Sequence, residues 1–81
     1  MIPDTENSAN DEIPEPQRIV AKNLRKLRKE KGFTQQELAE EANIHRTYVG
    51  FIERAERKVS INILYRLADG LEVDVRKLLQ P

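Results

Sequence analysis

The chain contains no cysteine, three glycines and a single histidine. Without cysteine there is no disulfide framework, no cysteine-based zinc site and no thiol nucleophile. The histidine, His45, has no Asp or Ser partner supplied by any motif. No metal-ligand cluster, nucleophile–base pair or glycine-rich phosphate loop stands out, so the sequence carries no sign of an enzyme, a metal or a cofactor. No apolar run approaches the ~20 residues of a membrane span. No signal peptide opens the chain, and the expected location is cytoplasmic. Eighty-one residues amount to one small domain, whose modest core a dimer interface would reinforce.

Net charge is also absent, but only on average. Residues 1 to 15 hold Asp4, Glu6, Asp11, Glu12 and Glu15 and no Lys or Arg, a charge of −5. The rest of the chain carries all 14 Lys and Arg against the nine remaining Asp and Glu, a net of +5. A domain of that sign suits a polyanionic partner. The acidic stretch, with Pro3 and Pro14 and Pro16 just beyond, has scarcely any apolar residue and reads as a disordered arm over residues 1–15.

Residues 34 to 54 organise what is there. Thr34 with Glu37 three residues on fits a capping box at a helix start. Leu38, Ala39 and Ala42 make one apolar stripe. Asn43 tolerates a left-handed backbone and can end that helix, with Ile44 plugging the corner. A second helix follows over about residues 45–54. Stepping about 100° per residue, it turns Val49, Ile52 and Glu53 to one face. Thr47, Gly50, Phe51 and Arg54 fall opposite, flanked by Arg46 and Tyr48. That outer face carries cations, a hydroxyl, aromatics and a glycine where Glu and Lys usually dominate. It is either a chance surface mixture or a helix built for a DNA major groove. There Arg grips guanine O6 and N7, Thr or an aromatic touches a thymine methyl, and a small residue permits close approach.

Around these motifs the chain resembles the helix-turn-helix family of the phage lambda and 434 repressors and Cro, the XRE family. The resemblance spans residues 17 to 80. It runs through Leu24-Arg25-Lys26-Leu27-Arg28 before Gly32, Thr34-Gln35 with Glu37-Leu38-Ala39, and Val49 with Ile52-Glu53-Arg54. It continues through Ser60, Leu67-Ala68 and Leu71-Glu72-Val73. Arg46-Thr47-Tyr48, Ile52-Glu53-Arg54 and the basic loop are further similar to controller proteins of restriction-modification systems. The resemblance implies an all-α, five-helix, lambda-repressor-like DNA-binding domain over residues 16–81. Two positions depart from the pattern: Asn43 and Ala55 stand where the family usually has Gly. If position 55 requires positive φ, Ala strains it by roughly 1 kcal/mol; the expectation is that the helix simply runs slightly longer.

In chain order, helix one is expected from about Pro16, well placed in a first turn, to Lys31, with Val20, Leu24 and Leu27 inward, Ile19 assisting and Gly32 ending it. The resemblance implies that Arg28 pairs with Glu53, and Glu53 independently falls on the inward face, where a carboxylate needs a partner. Phe33 packs under helix two. Gln35, at a helix N-terminus suited to phosphate, is where the family contacts DNA backbone. Arg46 and Thr47, in the first turn of the reading helix, are expected at base edges, with Gly50 and Phe51 behind them. Phe51 suits either a thymine methyl or a patch against another subunit. Tyr48 either meets the sugar-phosphate backbone or packs on helix two. His45 is a cap or a phosphate contact, and Arg54, Arg57 and Lys58 straddle the backbone. Ser60 caps helix four, about residues 61–70, with Gly70 or its neighbour breaking it. Asp74 caps helix five, residues 75–79. Val73, Val75, Leu78 and Leu79, joined by Ile61, are either core or, as the family implies, a dimerisation end over about residues 71–80.

Together these readings describe a homodimeric regulator of transcription, a repressor or an activator. It would read a pseudo-palindromic operator in double-stranded DNA and control a restriction-modification operon. The alternative is an antitoxin-type regulator that also binds a toxin. The acidic arm serves solubility or repels DNA phosphates. If it repels them, deleting residues 1 to 14 tightens binding to random duplex at low salt; unchanged affinity in a filter-binding titration sinks the idea.

Overall fold

The computed structural model describes residues 14–81. Over these residues the chain is all-helical: α1 (Glu15–Lys31), α2 (Gln35–Ala42), α3 (Arg46–Glu53), α4 (Ile61–Leu71) and α5 (Arg76–Leu79). The acidic arm lies outside the described residues up to position 13. Its last two expected members belong to the first helix, Pro14 as N-cap and Glu15 in the first turn.

Each helix start has a local cause. Pro16 occupies the opening turn of α1, where its missing N–H would find no partner anyway. At α2 the backbone N–H of Glu37 donates to Thr34 Oγ1 (3.0 Å) and that of Thr34 to Glu37 Oε1 (2.8 Å), a complete capping box. Ser60 Oγ accepts from the Ile63 N–H at α4. Asp74 Oδ1 accepts from the Arg76 N–H, so α5 begins one residue later than expected. The Arg76 guanidinium and backbone hold the Asp74 carboxyl down at about 2.

Four helices end the same way. Gly32, Asn43, Ala55 and Glu72 all take positive φ. In each case the next residue's N–H reaches back five positions, as in Phe33 to Arg28 O (3.1 Å) and Ile44 to Ala39 O (2.9 Å). This Schellman closure satisfies carbonyls the helix leaves open. After three of the four it returns an apolar side chain (Phe33, Ile44 or Val73) onto the core. Ala55 corrects the expectation of a longer reading helix: α3 stops at Glu53, and Ala55 is left-handed at φ 58°. The reason is tertiary. Arg25 donates to the Glu53 carbonyl and Gln17 to the Ala55 carbonyl (3.2 Å), taking acceptors that a continued helix would bond.

The core gathers Val20 and Leu24 of α1, Leu38 of α2, Val49 and Ile52 of α3, and Leu67 and Leu71 of α4. Of Gly70 and its neighbour, the two expected breakers, Gly70 lies inside α4 and is buried, and the helix runs on to Leu71. A Cβ there would stand 3.0 Å from the Ala42 nitrogen and 3.1 Å from the Glu41 carbonyl carbon. Its role is the close approach of α4 to the end of α2; Glu72 ends the helix. Leu78 is fully buried and part of this chain's own core. Its expected place in a dimer contact is thereby corrected: α5 is short and packs inward on α1. Asn23 of α1 donates to the Leu78 and Gln80 carbonyls at 2.9 and 2.8 Å, holding the end of α5 there.

One carboxylate ties three helices. Glu53 is 3% exposed. Its Oε2 accepts from Arg28 Nε at 2.6 Å, and its Oε1 accepts from Arg28 Nη2 at 3.1 Å and Gln35 Nε2 at 3.0 Å. Arg28 Nη1 donates onward to the Phe33 carbonyl at 2.9 Å. Hydrogen bonding to Glu53 raises the Arg28 pKa further.

Two stability changes are expected. Glu53→Ala strands a largely buried guanidinium, a loss of ~3 kcal/mol or more, and lowers the melting temperature by ~10 °C or more. The joint replacement Arg28→Met with Glu53→Leu recovers most of that loss. Gly70→Ala destabilises by about 1–3 kcal/mol through overpacking, although helix propensity alone would favour Ala by ~1 kcal/mol. Thermal unfolding followed by circular dichroism checks both; a Gly70→Ala variant that melts higher refutes the close-approach role.

Candidate nucleic-acid interface

The reading helix is held from behind and open in front. Val49, Ile52 and Glu53 are buried, and α3 packs on α1 and α2. Arg46 and Thr47 are exposed in the first turn. His45 is the N-cap: its Nδ1 accepts from the Thr47 N–H (3.1 Å) and lies 2.7 Å from Thr47 Oγ1. With Nδ1 accepting, the ring proton sits on Nε2 at the edge away from the cap. Arg46 Nη1 donates to Gln36 Oε1 at 3.4 Å, a long and easily exchanged bond.

Six of the candidate residues line one shallow groove of about 310 Å³: Gln35, Arg46, Thr47, Gly50, Phe51 and Arg54. Gln35 reaches it from the first residue of α2 with its amide already donated to Glu53. Gly50 is buried beneath two side chains; a Cβ there would meet Arg54 Nη1 at 3.1 Å and Gln35 Oε1 at 3.6 Å. Its missing side chain makes room for Arg54. The Phe51 ring is partly buried, with the Arg57 guanidinium 4.6 Å and the Arg54 guanidinium 5.4 Å from its centroid. Tyr48 packs against the core from the flank of α3. Arg54, Arg57 and Lys58 are exposed on the following loop, where Arg54 Nε meets Glu56 Oε2 at 3.2 Å.

Arg54 also borders a second groove, with Arg18, Lys22 and Arg25 of α1, so basic surface continues from the end of α3 onto the first helix. Arg25 was missed as a structural residue. It stands three positions before Arg28 and thus on the same helix face, which was the available signal. Of the candidate dimer residues, Ile61 and Leu79 are 70% and 48% exposed, while Val73 and Val75 are half-buried. Tyr65, 55% exposed, stands one turn from Ile61 and was also missed; its i+4 spacing was the sign of a shared face. No helix among the described residues is long and apolar enough to cross a membrane.

Comparison with known proteins bears on this arrangement. A helix-turn-helix family model matches residues 24–78. Control protein C.SmaI of Serratia marcescens is 44% identical over 61 residues, covering 75% of this chain and 73% of its own length. The crystal structure of the restriction-modification controller protein C.AhdI from Aeromonas hydrophila superposes with a TM-score of 0.74 at 37% identity, over 76% of this chain and 94% of that one. The hypothetical transcription factor NHTF from Neisseria superposes with a TM-score of 0.80 at 33% identity, over 86% and 84%. The chain belongs to the helix-turn-helix family of DNA-binding transcriptional regulators.

Proposed function

We propose that the protein binds a pseudo-palindromic operator as a homodimer and controls the transcription of a restriction-modification operon. The observation that carries the reading is the single groove that unites Gln35 of α2 with the exposed face of α3. Arg46 and Thr47 stand at the end of α3 that enters a major groove in this docking geometry. Arg46 has only a 3.4 Å bond to give up, and its planar fork suits guanine O6 and N7. Thr47 can turn its hydroxyl from His45 to a base edge. The α2 N-terminus at Gln35, the Nε2 edge of His45, the Tyr48 hydroxyl and the cations Arg54, Arg57 and Lys58 meet the flanking phosphates, which position the protein without reading sequence.

One such half-site holds too few base contacts for a useful operator affinity. Pairing two copies places two reading helices about one DNA turn apart. Ile61, Tyr65 and Leu79, with the half-buried Val73 and Val75, supply the apolar surface for that contact. Control of a restriction-modification operon rests on the likeness to C.AhdI, a restriction-modification controller protein, and to the control protein C.SmaI.

Selection of random duplexes by the purified protein at physiological salt, with Arg46→Ala alongside, tests the reading. The wild type enriches an inverted repeat, and the variant loses a guanine preference at one position in each half, with affinity falling ~10-fold or more. Enrichment without symmetry overturns the dimer, and an unchanged motif in the variant overturns Arg46 as reader.

A further inference from the structure

Phe51 is a large apolar side chain on the face of α3 turned toward the partner. The geometry around it does not suit a base reader. Both guanidiniums near the ring come from its own chain, with Arg57 at 4.6 Å and Arg54 at 5.4 Å from the centroid. The backbone is built to bring them there. The left-handed turn at Ala55 reverses the chain, and the Glu56 N–H closes on the Phe51 carbonyl at 2.8 Å. Arg57 follows immediately and is carried back along the helix it has just left.

The two cations differ in their other partners. Arg54 also meets Glu56 at 3.2 Å. Arg57 makes no ion pair among the described residues, and the Phe51 ring is its contact. An aromatic face attracts a guanidinium through its quadrupole. It leaves the in-plane N–H donors at the guanidinium's edge unused, the donors that recognise a phosphate in bidentate fashion. A ring in this position restricts a long flexible side chain without consuming its hydrogen bonds.

We propose that Phe51 is a positioning residue that holds the Arg57 and Arg54 guanidiniums ready for backbone phosphates of duplex DNA and does not itself read a base. This role presupposes the operator-binding reading above. It accounts for an aromatic on an outer helix face and for the turn that follows it.

The first test needs no DNA. In wild-type protein the ring current shifts the Arg57 side-chain protons upfield in the NMR spectrum; Phe51→Leu abolishes the shift and Phe51→Tyr keeps it. Absence of the shift in the wild type overturns the proposal. The second is a double-mutant cycle on random duplex DNA. Phe51→Leu and Arg57→Ala each weaken binding roughly threefold to tenfold, and the double variant binds more tightly than the product of the two effects, because both changes remove the Arg57 contact and only the Arg54 share of Phe51 is left to lose. Phe51→Tyr binds as wild type. Multiplying effects, or loss of a thymine preference in selected sites with Phe51→Leu, overturns the proposal in favour of base contact. Melting curves confirm that each variant is folded, and Phe51→Met replaces the leucine variant if that one melts early. Normal duplex binding by every variant overturns this role alone, whereas a wild type that binds no duplex overturns the operator reading as well.

Discussion

A carboxylate removed from water must be given donors or it will not stay ionised and buried. Glu53 sits at that constraint. Its donors come from two other helices, Arg28 on α1 and Gln35 on α2, and all three elements must be in place for its oxygens to be satisfied. A slip of α3 by a fraction of a turn would strand the carboxylate. Apolar contacts such as those of Val49 and Ile52 are non-directional and would tolerate such a slip better. The angle at which the reading helix leaves the body of the domain is therefore set by a directional contact at its last residue. The same residue's carbonyl, bonded by Arg25, also decides where the helix stops.

The helix ends show how a chain with three glycines still turns sharply. Only Gly32 places a glycine at a left-handed C-terminus. Asn43 does the same with small penalty, while Ala55 and Glu72 take a conformation that costs an ordinary residue about 1 kcal/mol. What offsets the cost at Glu72 is the Schellman closure with Val73 on the core, and an exposed contact to Lys31 at 2.7 Å. Of the two glycines not used in a turn, Gly50 makes room for Arg54, and Gly70 is placed where two backbones approach within contact of a missing Cβ. Glycine is thus reserved here for close packing more than for turning.

These features also divide what the sequence made legible from what it did not. The burial of Leu24, Leu38, Val49, Ile52 and Leu67 was readable because helical period alone assigns it. The caps at Thr34 and Ser60 and the turn at Asn43 were readable because their chemistry is local. The misplaced features were non-local ones. The stop at Ala55 depends on Gln17, distant in sequence. Gly70 looked like a breaker because its neighbour across the packing, Ala42, cannot be seen from its own helix. Leu78 was left open between core and dimer contact because Asn23, which draws α5 onto α1, carries no periodic signal. At the interface, the positions of Arg46 and Thr47 followed from helix geometry. The Arg57 partner of Phe51 lay beyond a turn whose direction was unknown.

The polar contacts of this protein fall into two kinds, and the difference bears on how it can release and re-form its surface. Glu53 is buried and Arg28 largely so, and the two are doubly bonded; breaking such a pair costs several kcal/mol. Arg46 with Gln36 and Arg54 with Glu56 are exposed contacts, and exposed pairs contribute at most about 1 kcal/mol. A helix that exchanges partners with DNA must give up its own contacts cheaply while its frame stays fixed. Both conditions are met in the eight residues of α3 and the loop that follows it. The residue that anchors the frame comes at the C-terminal end, and the side chains that must let go stand in the first turn and on the loop beyond. Specific recognition needs that asymmetry. A rigid outer face would keep its internal partners instead of taking new ones, and a loose inner face would lose the register on which the proposed base contacts of Arg46 and Thr47 depend.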